Sequence, residues 1–352
     1  TVVEEVFLKN SEHPGALHYL IHSYDDPIHA PLGLRSARIY ARVAPQAAHA
    51  LHMPSHIFVA MGMWDEVIAS NEDSWAASEA RVKRKNLPLE DRGYHSLWWL
   101  QYGYLQQGRF EDARRALGIV EQDAKASPSP LIRFHLVQMC AVYSIETGRP
   151  CELPSGITTS GLDLPAVAAN LLATGMANLN RGQRAGAESS LSELRKLKGA
   201  LHPGSSETQM SHHDHIYPGD VQAVEIMKKE LEALLLTADG RSKDAVQLMV
   251  EATALEDKMS FEFGPPVPPK PSHELFGEIL LQLERPDAAR AQFEMALIRA
   301  PGRALSLLGL ARAHAQMGEK AKARETYTEL RRMWRRADKE IQKALDDTLA
   351  KM

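Results

Sequence analysis

Histidine is the residue whose placement in this chain invites chemistry. There are 15 in 352 residues, and seven of them (His13, His18, His22, His29, His49, His52 and His56) fall between positions 13 and 56. His18 and His22 are four apart, as are His52 and His56, and each member of the first pair precedes its counterpart by 34 residues. A separation of four puts two side chains on one helix face, with Cβ atoms roughly 5–6 Å apart. Neutral imidazole is the commonest protein ligand for a transition metal. Asp25, Asp26 and His29 follow the first pair and could add oxygen or nitrogen donors, a mixture that suits Zn, Fe, Ni or Cu. No glutamate lies between the paired histidines, so the H-E-x-x-H zinc-protease motif is absent. Two other readings stay open: imidazoles lining a metal-free ligand groove, and histidines that only pack or cap helices.

A second cluster, His212, His213, Asp214 and His215, lies in a polar stretch ending at Pro218-Gly219. It reads either as a solvated loop or as an insertion folding back to supply a further ligand or a general base. Other chemistry is not signalled. Cys140 and Cys151 cannot build a disulfide framework or a four-thiolate zinc site, and no G-x-S-x-G occurs. Forty-one basic against 45 acidic side chains give a net charge of -4, which leaves no cationic surplus for nucleic acid. No apolar run approaches the roughly 20 residues that span a bilayer. The chain opens at Thr1 with a helical pattern already under way and is read as a fragment or processed product. A soluble protein is expected, cytoplasmic or else periplasmic or secreted after signal removal.

The elements that position these residues follow a repeat. Between Lys270 and Met333 two segments overlay at a shift of 34: Phe276 on Leu310, Gly277 on Ala311, Ala289 on Ala323, Phe293 on Tyr327. Pro301 marks the junction, where a helix cannot continue. Each segment reads as two amphipathic helices joined by a short turn. Connectors rich in charge or in Pro, Gly and Ser are expected at 80–93, 149–166, 199–220 and 261–272. The proline run 264–271 reads as a rigid link.

This spacing of small residue, alanine, aromatic and proline resembles the tetratricopeptide repeat. Frames start near Pro14, Ala48, Tyr94, Phe134, Ala168, Ile226, Lys270 and Ala304, with turn glycines at Gly62, Gly108, Gly148, Gly182, Gly240 and Gly318. The stretch HPGALHYLIH through HALHMPSHIF also resembles a region of uncharacterised bacterial tetratricopeptide proteins. The resemblance implies an all-α fold: one solenoid over residues 1–352, of about eight degenerate helix pairs curved into a superhelix. Its parts are His-rich repeats at 1–80, middle repeats at 94–198 and C-terminal repeats at 221–352. It also implies that His18, His22, His52 and His56 form a square of imidazoles on the concave wall. Trp98 and Tyr102 would follow as a surface for a ring, sugar or peptide, with Glu274 and Glu278 as an acidic far end. Two functions follow as expectations. One is a module binding a peptide, protein or small molecule in a His-lined groove, with or without a transition metal. The other is a metal-dependent hydrolase or oxidoreductase built on the same scaffold. Pro54 falls inside a first helix and puts the equivalence of His18 and His52 in question.

Overall fold

In a computed structural model the protein is all-α, described over residues 2–197, 218–261 and 264–351; among these no strand occurs. After α1 (Val2–Lys9), the helices that carry the histidines are α2 (Pro14–Ser23), α3 (Ala30–Val43), α4 (Ala48–His52), α5 (Pro54–Ala60), α6 (Trp64–Lys85) and α7 (Tyr94–Gln106). Then come α8 (Phe110–Ala126), α9 (Pro130–Thr147), α10 (Leu164–Asn180), α11 (Arg184–Leu197), α12 (Pro218–Ala238) and α13 (Ser242–Glu256). The last five are α14 (Ser272–Gln282), α15 (Pro286–Arg299), α16 (Ala304–Gln316), α17 (Lys320–Met333) and α18 (Lys339–Ala350). Consecutive helices pack on one another along the chain.

Local chemistry sets the helix ends. Proline opens α2 and α9, where its missing N–H costs nothing, and His13 Nδ1 and Ser129 Oγ accept the orphan amides of Ala16 and Ile132. Thus His13, one of the clustered histidines, serves as a cap. All six expected turn glycines adopt φ between +66° and +77°, which ends a helix at little steric cost. At the equivalent turn before α15 no glycine is present, and Glu284 takes φ 57° instead. Most residues that overlay at 34 are core: Ala289, Ala311, Ala323 and Phe293 are fully buried and Tyr327 nearly so, while Leu310 is half-buried.

The irregular segments depart in part from expectation. Helix α6 runs through half of the 80–93 connector before a 3₁₀ turn at Leu89–Asp91. Cys151, in the loop after α9, is joined to Cys140 by a single disulfide. Most of the 199–220 stretch lies outside the described residues. No helix among those described is long and apolar enough to cross a membrane.

The C-terminal helices return to the N-terminal ones. Trp64 Nε1 donates to the Gly302 carbonyl at 2.8 Å, and Trp334 Nε1 donates to the Gln106 carbonyl at 2.9 Å. The Asp338 amide donates to the Gly108 carbonyl at 3.0 Å. Between them lies a buried ionic network. Arg303 grips Glu274 with two nitrogens at 2.8 and 2.9 Å, ion-pairs with Glu146 at 2.6 Å and donates to the Tyr102 hydroxyl at 3.0 Å. Lys270 joins Glu274 at 2.9 Å and Glu278 at 2.6 Å.

Candidate metal centre

Helices α2, α4, α5 and α7 bring six imidazoles into one row. Ring centroids run His49 to His18 at 5.1 Å, His18 to His22 at 4.7 Å, His22 to His56 at 5.2 Å, His56 to His52 at 5.1 Å and His52 to His95 at 4.7 Å. His49, His22 and His95 are exposed, whereas His52 and His56 are buried. The indole of Trp99 covers the inner end, 4.8 Å from His52, 4.5 Å from His56 and 5.6 Å from His95. All six histidines are held below the ordinary imidazole pKa, first by loss of water around the ring, partial at the exposed ones and nearly complete at His52 and His56, and then by neighbouring imidazoles. They are therefore neutral at neutral pH, which is the form that ligates metals.

The expected square of His18, His22, His52 and His56 opens out in this row. Contacts between α2 and the α4–α5 stretch run at separations of both 31 and 34: His18 Nε2 meets His49 Nε2 at 3.0 Å and Asp25 meets His56 at 31, while the His22 and His56 rings meet at 34. Pro54 breaks the first helix of the second pair into α4 and α5, but His52 and His56 keep a common face across the break.

Two groups bring nitrogen or oxygen atoms within 4.8 Å of one another: His52, His56 and His95, and His22, Asp25 and His56. The best-defined geometry is that of His52 and His56. Asn71 Nδ2 donates to the Val67 carbonyl at 2.8 Å, which leaves its Oδ1 to face His52 Nδ1 at 2.7 Å. His52 therefore carries its proton on Nδ1 and turns a bare Nε2 toward His56. On the second ring, Nδ1 lies 2.5 Å from Asp25 Oδ2, and the two Nε2 atoms face each other at 3.2 Å. With Asp25 ionised, His56 donates from Nδ1 and two lone pairs confront one another. With one further proton on the Asp25–His56 pair, His56 can donate from Nε2 to His52, and the chain from Asp25 to Asn71 is satisfied. One proton or one cation thus fits the same place. Burial, opposed by His22, lifts the Asp25 carboxyl to about 7.

The donor set fits a transition metal on three counts. Nitrogens 2.0–2.1 Å from a tetrahedral zinc stand about 3.3 Å apart, and the two Nε2 atoms stand at 3.2 Å. Carboxylate and amide acceptors behind the ring Nδ1 atoms are the usual supports of metal-bound imidazole. Asp25 Oδ1 is buried with no hydrogen-bond partner, and such an orphaned atom calls for an explanation such as an ion.

The remaining expected residues lie elsewhere. His29 and Asp26 pair with each other at 2.8 Å on the exposed side of the α2–α3 turn. Trp98 is buried against Phe134 and His135. Tyr102 and Glu274 are buried in the Arg303 network, and half-buried Glu278 holds Lys270, so these do not form an open acidic end of a groove. His212, His213 and His215 lie outside the described residues. His95, Trp99 and Asn71 belong to the site although their spacing was not singled out. The four-residue step from His95 to Trp99, shared with the histidine pairs, is the signal that would have found them. Neither the protein-family models nor the curated proteins compared with this chain match it.

Proposed function

We propose that this chain is a metal-binding helical-repeat protein. His52, His56 and His95 hold one divalent transition metal, Zn, Fe, Cu or Ni, with Asp25 and Asn71 orienting two of the rings. The scaffold is a curved solenoid of degenerate tetratricopeptide-like helix pairs, and a small molecule or peptide reaches the centre from the adjoining cleft. The observation that carries this reading is the 3.2 Å approach of two Nε2 atoms whose Nδ1 atoms are both engaged. A catalytic use is the second reading, favoured by the ligand count. Three imidazoles leave a position open, and a divalent ion in such a site polarises a carbonyl or activates water. In that case Trp99 would exclude water from one side of the rings, and Asp25 would hold the His56 proton on Nδ1.

The test is elemental analysis of protein purified without an affinity tag, followed by thermal unfolding with added metal. One equivalent of metal, lost in a His52→Ala/His95→Ala double variant and kept in His18→Ala/His49→Ala, is expected. Metal at 100 times its Kd should add about 2.7 kcal/mol of stability. Metal-free protein that gains no stability from Zn, Cu, Ni or Fe would overturn the reading.

A further inference from the structure

A cleft lies on the far side of His56 and Asp25, between the α2–α3 turn and α5 on one wall and the 256–301 region on the other. Its non-atom space, open solvent included, is about 820 Å³. Its walls are largely apolar, with Val59, Trp64, Phe261 and Val267 among them. The charged and titratable groups on it are Asp25, Asp26, His56, Tyr102, Glu256, His273 and Arg299. Most are already engaged. Asp26 accepts from His29 and two backbone amides, Glu256 Oε2 accepts from the Ser272 amide at 2.9 Å, and His273 contacts Gln292 at 2.7 Å and Asp257 at 3.1 Å.

Arg299 is the exception. It is half-buried and lies 5.0 Å over the Phe261 ring. Its hydrogen bond to the Met259 carbonyl is a long 3.5 Å. Among the described residues no carboxylate comes within ion-pair distance of it, although the field of Glu256 reaches it. A guanidinium so placed suits a planar anion, which it can grip with two parallel N–H donors.

We propose that this cleft takes a small carboxylate with an apolar, ring-sized body, its anionic end on Arg299 and its body on Phe261 and Trp64, reaching toward His56. The inference rests on the metal-centre reading for what happens at His56, but carboxylate binding depends on Arg299 alone. The probes are phenylacetate and its neutral isostere phenylacetamide, titrated by calorimetry into the full chain with and without bound metal. Phenylacetate should bind at least tenfold tighter than the amide. Arg299→Gln should abolish that preference, and Arg299→Lys should retain part of it, while metal content stays as in the unsubstituted chain. Equal affinity for acid and amide, or binding of neither, would overturn the proposal. If no metal binds but the Arg299-dependent preference is found, the metal reading fails and the carboxylate cleft stands.

Discussion

His56 meets three things at once: a buried carboxylate, a second imidazole and the cleft. Its Nδ1 contact with Asp25 decides which ring nitrogen is left for a metal. Asp25→Asn replaces an acceptor that can be ionised by a weaker, permanently neutral one. Metal affinity should fall about 10- to 100-fold, the usual cost of losing such a supporting group, and competition with a chromogenic chelator would measure it. An unchanged affinity would show that Asp25 does not support the ring. At this scale the sequence was informative about which residues gather and less so about which touch. The i, i+4 pairs share faces as their spacing requires. The 34-residue echo gave one ring contact, that of His22 with His56, but not the partner of His18, which meets His49. Asp25 looked like an optional donor, since no spacing rule shows that a side chain three residues beyond His22 will be buried.

Among the elements, the proline run after α13 has a role beyond linking. Gly264 sits at φ +109°, and a Cβ there would come within 2.4 Å of Trp99 Cζ2. The strap therefore presses its backbone on the indole that covers His52, His56 and His95. Gly264→Ala combines a disfavoured backbone with a clash against a large buried ring. It should cost about 1–3 kcal/mol in urea unfolding and change the tryptophan emission. A variant with unchanged stability and spectrum would mean that the strap does not hold Trp99. That this segment is not helical was legible in its prolines. Its destination was not, because the contact spans more than 160 residues of chain and leaves no local pattern. Pro54 is the reverse case: its break between α4 and α5 was readable from the one residue that cannot continue a hydrogen-bonded turn.

The whole molecule is closed by the network around Arg303, which ties α7 and α9 to α14 and α16. Reading Glu274 as a groove carboxylate assumed an open superhelix, whereas the return of the C-terminal helices buries it. Glu274→Ala would leave the Arg303 guanidinium short of a partner in the interior. The expected loss is about 3–5 kcal/mol, measurable by denaturant unfolding. Burial alone would raise the Glu274 carboxyl, but the charges of Arg303 and Lys270 overcome it and hold the pKa at about 2. Because the folded value lies below the ordinary carboxyl value of 4.5, this contribution is complete above that pH and is lost as pH falls toward 2. Stability measured from pH 7 down to pH 3 should therefore fall less steeply in Glu274→Gln than in the unsubstituted chain. Parallel slopes would place the acid sensitivity elsewhere.

The same closure sets an order of events during synthesis. Every imidazole of the row has left the peptidyl-transferase centre once His95 is made, while Pro301, Gly302 and Arg303 follow about 200 residues later. At roughly 5–20 residues per second this interval lasts about 10–40 s. For that time the nascent chain has its full set of ring nitrogens but lacks the far wall of the cleft. On the proposed metal-binding reading, an ion captured then would enter from the side that the C-terminal helices later cover.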